Sequence, residues 1–277
     1  MKKETSIGKL FTYIILIIGA VICIFPFYWM IRTAIINAGD IFSPELRILP
    51  PVIIFSNFTS AMSSQPFGTY FLNTIFITVV GGFGAVVSSS LCAFGFSRLD
   101  WPGRDRVFGV LMTALMLPIS VLIIPHFIGW SYLHMTNTFI PLIAPAFFGG
   151  GLFNVFLLRQ FYFGIPKEMD EAAYMDGASL LKIYTAVILP LSKQALIVVG
   201  LFTYLANWNN YLEPMIYLNT ENKFTLMLGL NQFIGGYTAQ WNLMMAAVTV
   251  VIVPSIIIYL FAQKYFIEGI VMTGVKG

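Results

Sequence analysis

Long stretches without charge constrain this chain more than any motif in it. No Asp, Glu, Lys or Arg occurs between Arg47 and Arg98, between Arg106 and Arg159, or between Lys223 and Lys264. A membrane-crossing helix needs about 20 apolar residues, so each gap holds two spans and a short turn, or one span and a long loop. Of the 277 residues, 58% are hydrophobic types and 10% are charged, where a soluble domain carries roughly 25% charge. A soluble chain of this size could not bury so much apolar side chain, whereas a bilayer makes burial unnecessary. Backbone polar groups in lipid must be satisfied internally, so the spans are helical. The expected fold class is an all-α integral membrane protein with about six transmembrane helices.

The spans are placed at roughly 10–33, 69–96, 107–130, 138–158, 184–206 and 242–262. The basic N-terminal stretch runs into Phe25-Pro26-Phe27-Tyr28-Trp29 without a small-residue cleavage site, and so reads as the first span rather than a signal peptide. Gly81, Gly82, Gly84, Pro118, Pro125 and Pro254 fall inside spans; small residues let helices approach, and neighbours re-satisfy backbone groups freed by proline. With the N-terminus inside, twelve Lys and Arg residues face the cytoplasm, and only Arg32, Arg47 and Lys223 face outward. That bias orients both termini to the cytoplasm. It also explains the net charge of +3 by basic loops rather than by a nucleic-acid surface, so no nucleic acid is expected. Cys23 and Cys92 lie in spans and suggest no disulfide. His126 and His134 sit near one span end, where a structural role is commoner than a proton relay, and the span cores otherwise lack ionisable groups.

The most charge-dense stretch runs from Ile165 to Ser179, in the expected cytoplasmic loop between the fourth and fifth spans. Pro166 suits a first helical turn. Glu168, Asp170 and Glu171 complement the positive end of the helix dipole. Met169, Ala172 and Ala173 share a face at helical spacing. Gly177 can end the helix in a left-handed conformation, and a second short helix is expected from about Ser179. From these features alone, an ordinary solvated loop helix and a docking element remain equally open.

The pattern Glu171-Ala172-Ala173, Gly177, Val187 and Leu189-Pro190 resembles the EAA loop of ABC importer permeases. Val187 stands where isoleucine is usual. Asp176-Gly177-Ala178-Ser179 and Trp208-Asn209-Asn210-Tyr211-Leu212 resemble the sugar-permease branch, and the C-terminal run from Gln263 to Gly277 is similar to the second permease subunit of maltose-type systems. That resemblance implies one membrane domain over 1–277, with an N-terminal helix (10–33), a core bundle (about 69–262), a coupling loop (165–183) and a C-terminal tail (263–277). It implies a non-enzymatic transporter subunit in a prokaryotic cell membrane. Its partners would be a second permease subunit, a cytoplasmic ATPase dimer, an extracellular solute-binding protein, a sugar and membrane lipid.

By the same resemblance, Glu168, Glu171, Ala172, Ala173, Met175, Asp176, Gly177 and Ser179 would meet the ATPase. Gly274, Val275 and Lys276 would reach between its subunits. Gly235, Gly236, Tyr237 and Thr238 would meet the binding protein. The chain has no G-x-x-x-x-G-K-[ST] phosphate loop, so ATP and Mg would sit on the partner, with no cofactor on this chain. Asn154, Tyr204, Asn207, Trp208, Asn209 and Asn210 are candidates to line the sugar pathway, since amides and aromatic edges suit hydroxyls. For Trp208 and Tyr211 the competing role is an interfacial aromatic belt. Alternative solutes are a glycerol phosphate or an amino acid. An ion-coupled carrier is disfavoured by the charge-free cores. A membrane enzyme is disfavoured because Glu171 and Asp176, five apart on a helix, diverge.

Overall fold

The computed structural model describes residues 6–45, 47–235 and 239–274. The chain is helical, with no strand among the described residues. Its helices are α1 (Ser6–Ala34), α2 (Ser56–Ser64), α3 (Phe67–Ser97), α4 (Arg104–Thr113), α5 (Ile119–Tyr132), α6 (Ile140–Ile143) and α7 (Leu152–Phe163). They continue as α8 (Glu168–Met175), α9 (Leu180–Ile183), α10 (Leu189–Leu191), α11 (Lys193–Trp208), α12 (Leu212–Tyr217), α13 (Leu226–Asn231) and α14 (Trp241–Gly274). Four continuous stretches are long and apolar enough to cross a membrane, and two bent pairs bring the number to as many as six. The chain packs as two compact units, residues 1–67 with 229–253, and residues 68–228 with 254–277.

In the first unit, every residue of α1 from Gly8 to Phe27 is exposed. An apolar helix bare on all sides has lipid as its natural neighbour. Packing begins at its far end. There Arg32 is buried, stacks on the Trp29 ring at 4.6 Å, and donates from Nε to the carbonyls of Arg47 (2.9 Å) and Ile48 (3.2 Å). The buried amide of Asn57 donates to the carbonyls of Ala34 and Ile36, both at 2.9 Å, satisfying acceptors that a helix end leaves open.

The second unit is organised around α3. Ser90 Oγ lies 2.7 Å from the Tyr162 hydroxyl and 2.9 Å from that of Tyr184. Around it Phe94, Leu158, Ile183, Ile188 and Val199 form a continuous apolar core. Three spans that the sequence suggests are simple helices are broken. The third turns by 100° between Met116 and Ile119, where Pro118 is extended at ψ 137° because its ring disfavours continued helix. The fifth bends by 78° at Ser192, between α10 and α11. The fourth passes through Gly149, Gly150 and Gly151, at φ 95°, 64° and 91°, before α7 begins. A Cβ on Gly150 would lie 2.2 Å from the Ala85 carbonyl oxygen of α3, and one on Gly84 would lie 2.5 Å from the Phe147 ring. At Gly150 backbone meets backbone, and at Gly84 the Phe147 ring meets backbone, because neither position carries a side chain.

Helix α14 runs on to Gly274, into the stretch the sequence assigns to an extended tail. Gln263 to Thr273 holds a single glycine and no proline, so local preference does not stop the helix.

Candidate functional site

The segment from Ile165 to Ser179 folds as a helix, a left-handed turn and a second helix start. Glu168, Asp170 and Glu171 occupy the first turn of α8, as the dipole favours. Its end is a paired cap: Gly177, at φ 78°, donates to Tyr174 O at 3.0 Å, and Ala178 donates to Ala173 O at 3.0 Å. This is the Schellman arrangement, and its usual apolar contact falls between the residues that here are Ala173 and Ala178. Both alanines pack against the core of the bundle. Ser179 Oγ then accepts the Lys182 amide at 3.3 Å and caps α9.

The face expected from helical spacing is therefore divided. Ala173 turns inward, while Met169 and Ala172 stay exposed. Glu168, Glu171, Met175, Asp176, Gly177 and Ser179 are exposed as well. Tyr174, Met175 and Leu181 are bare apolar side chains on this hairpin, Met175 at 88% exposure. Tyr174 and Met175, so exposed beside acidic groups and outside any candidate span, present a surface to a partner rather than to lipid.

Arg98, which sequence reasoning passed over, and Asp170, read there only as complementing the helix dipole, together hold the hairpin in place. Arg98 follows the last turn of α3, and its side chain is only 3% exposed. Its Nη2 donates to Tyr162 O (2.6 Å), in the last turn of α7, and to Ile165 O (2.8 Å), just beyond that helix. Its Nη1 lies 3.3 Å from Asp170 Oδ2 on α8. Burial pushes the guanidinium below its ordinary pKa, and Asp170 opposes that shift. Arg98 is the first charge after the long apolar run of α3, a signal that marks a span end but not its partners.

The pathway candidates lie on α7, α11 and the turn after it. Asn154 Nδ2 donates to Gly150 O (2.7 Å) and meets Thr203 Oγ1 (3.3 Å), so it closes the glycine break of the fourth span. The Tyr204 hydroxyl pairs with Ser255 Oγ at 3.3 Å. Asn207 fits over Gly81, whose added Cβ would lie 3.1 Å from its Nδ2. Trp208 is buried, stacked on Tyr204 at 5.3 Å and edge-on to Phe71 at 5.9 Å. It is a packing residue, not part of an exposed aromatic belt. Asn209 bonds back to Leu205 O (2.9 Å), and Asn210 engages Glu213. The candidates' own hydrogen-bonding groups are neutral, and the one charged partner among these contacts is the Glu213 carboxylate beside Asn210. Among the described residues, no group of three or more His, Cys, Asp or Glu is placed to hold a metal ion.

The expected outer connection is held by Asn137, which sequence reasoning also missed. At φ 57°, its Oδ1 accepts the amides of Asn219 (3.1 Å) and Thr220 (3.2 Å), and its Nδ2 donates to Thr220 Oγ1 (2.7 Å). Asparagine is among the few side chains that tolerate this backbone region. Leu226, Leu228 and Leu230 of α13 are buried, and the apolar part of the connection packs back as a short helix. Gly235 is exposed, while Gly236, Tyr237 and Thr238 lie outside the described residues. So do Val275 and Lys276, and Gly274 is the last helical residue.

Comparison with known proteins places these features in context. The family model described as "Binding-protein-dependent transport system inner membrane component" matches residues 85–271. A probable ABC transporter permease of Bacillus subtilis (strain 168), YurM, is 30% identical over 276 residues, covering 100% of this chain and 91% of the relative. The sn-glycerol-3-phosphate transport system permease UgpE of Salmonella typhi is 30% identical over 95% of both chains. The arabinooligosaccharides transport system permease AraQ of Halalkalibacterium halodurans is 29% identical over 93% of both. Among solved structures, a chain of a bacterial ABC transporter that imports the acidic polysaccharide alginate superposes with a TM-score of 0.83 at 25% identity, over 96% of this chain and 100% of the other.

Proposed function

The chain belongs to the family of binding-protein-dependent transport system inner membrane components, and from that premise we propose that it imports a sugar or oligosaccharide as half of a two-subunit pathway driven through α8. Its family works with a solute-binding protein and an ATPase, and the chain itself is a permease, not an enzyme. The observation that carries the coupling assignment is the exposed acidic and apolar hairpin of α8 and α9, fixed to the bundle by Ala173 and Ala178. In this reading Glu168, Glu171, Ala172, Met175, Asp176 and Ser179 face the ATPase dimer, Ala173 and Gly177 shape the hairpin, and ATP and Mg act on that partner alone. The C-terminal Gly274, Val275 and Lys276 reach the ATPase as well. Both termini are cytoplasmic, the outer loop with Gly235, Gly236, Tyr237 and Thr238 meets the binding protein, and a second permease completes the pathway.

The sugar assignment rests on AraQ and the alginate importer among the similar proteins, and on the neutral character of the pathway candidates. Asn154, Asn207, Asn209 and Asn210 offer amides that suit hydroxyls. A glycerol phosphate, the solute named for UgpE, would call for a cation. Arg98 and Lys223 are each bonded to backbone carbonyls of their own unit, which favours the neutral solute.

The test is a pair of variants. Ala172→Trp enlarges an exposed residue of α8, and Gly177→Val places a β-branched residue at φ 78° in otherwise open space. Both should lose the ATPase on purification, or hydrolyse ATP without uptake, while the membrane domain still folds. Normal retention and normal uptake in both would remove α8 as the coupling element.

A further inference from the structure

We infer that Arg98 and Asp170 form the contact through which movement of α8 reaches the membrane helices, with Arg98 fixed to the bundle and Asp170 as the yielding partner. The inference rests on the coupling role proposed for α8. Its geometry is asymmetric. Arg98 is bound on the bundle side by two short bonds to Tyr162 O (2.6 Å) and Ile165 O (2.8 Å). It reaches α8 through one longer contact of 3.3 Å from Nη1 to Asp170 Oδ2. A guanidinium and a carboxylate at full strength pair through two parallel bonds near 2.8 Å. Here Arg98 Nε and Asp170 Oδ1 are both buried without a hydrogen-bond partner. The pair is thus incompletely matched, and loose enough to re-form at another angle of α8.

Placement makes this contact a junction. Arg98 directly follows α3, its carbonyl partners are Tyr162 at the end of α7 and the core-buried Ile165 just after it, and Asp170 lies in the first turn of α8. Next to it is a cavity of roughly 170 Å³ lined by Phe94, Leu99, Glu171, Tyr174, Leu180 and Ile183, which leaves the hairpin room to shift without a clash. Ala173, Ala178 and Ile183 of the hairpin also turn inward, through apolar contacts that have no preferred direction. The ion pair is directional and sets where α8 stops. Asp170 is therefore a positioning residue. Glu171, exposed beside it, remains free for the partner surface.

The experiment uses the assembled importer in liposomes and compares Asp170→Asn, which keeps shape and removes charge, with Asp170→Glu, which keeps charge. Two quantities are read: retention of the ATPase on purification, and stimulation of ATP hydrolysis by the solute-binding protein. Asp170→Asn should retain the ATPase and lose stimulation by about tenfold, a typical size for coupling between distant sites. Asp170→Glu should stay within about twofold of the parent on the same scale. Stimulation unchanged in Asp170→Asn, or lost equally in Asp170→Glu, overturns the inference. Failure of the coupling assignment itself looks different, because Ala172→Trp would then keep both ATPase and uptake.

Discussion

Replacing Gly150 with alanine tests the packing of the broken fourth span. Gly150 sits at φ 64°, and an added Cβ would lie 2.2 Å from Ala85 O, 2.9 Å from Ser88 Oγ and 2.9 Å from Ser89 Cβ. Two costs combine. A non-glycine residue held in this backbone region costs about 1–2 kcal/mol. The clash adds about 1–3 kcal/mol, because the nearest atom is a helical carbonyl of α3 that cannot swing aside as a flexible side chain would. The sum is roughly 2–5 kcal/mol. Gly177→Ala isolates the first cost, since Gly177 has φ 78° and nothing within 4 Å of its added Cβ; it should lose about 1–2 kcal/mol. Gly200→Ala, in a helix with Val86 Cγ2 at 3.7 Å as the nearest neighbour of the new Cβ, should be neutral or gain up to about 1 kcal/mol. Thermal unfolding of the three variants in one detergent, followed by tryptophan fluorescence, should rank Gly150→Ala lowest, then Gly177→Ala, then Gly200→Ala. Equal unfolding temperatures for Gly150→Ala and Gly177→Ala would show that α3 and the glycine break are not in contact as described.

Asn137→Ala removes three hydrogen bonds from the Asn219–Thr220 turn and should cost about 1–3 kcal/mol; amide exchange at Asn219 and Thr220 should quicken, with that of α3 unchanged. Ser179→Ala deletes the cap of α9 and should cost about 1 kcal/mol, read as faster exchange of the Lys182 amide, while Ser179→Asp should keep protection. Trp208→Ala empties a buried aromatic site between Tyr204 and Phe71 and should lower stability by about 3–5 kcal/mol. A Trp208→Ala loss no larger than that of the more exposed Trp101→Ala would return Trp208 to the membrane interface.

How much was legible in the sequence depended on which force set each feature. The six apolar stretches were legible because hydropathy acts residue by residue over a long window; α1 and α3 keep close to the expected bounds, and α14 starts as expected but runs past 262 to Gly274. The α8 hairpin was legible because capping is local: Pro166, the acidic first turn, Gly177 and Ser179 each act within a few positions. The breaks at Pro118 and Ser192 were harder to read, because proline and serine occur in many membrane helices that continue straight, and neighbouring helices decide the outcome. The same limit explains Trp208: its composition suits an interface, and only contacts with Phe71 and Tyr204 reveal it as core.

Arg98 and Asn137, and the ion-pair role of Asp170, share a different reason for having been missed. Their partners lie far away in sequence: Arg98 reaches Tyr162, Ile165 and Asp170, and Asn137 reaches Tyr217 to Lys223. No periodicity connects such positions. What the sequence does carry is rarity, since one polar group beside a long apolar run must find a partner or lose about 1–3 kcal/mol or more. Arg98 closes a charge-free run that began after Arg47, and Arg159 closes the next, bonded to Phe96 O (3.1 Å) and paired with Asp105 at 2.7 Å. Both therefore tie the C-terminal ends of α3 and α7 to neighbouring backbone and acid. The charges flanking each apolar run thus do two jobs with one side chain, orienting the span in the membrane and bolting its end. Only Arg98 is also joined to α8, which is why a force on the hairpin would enter the bundle there rather than at Arg159.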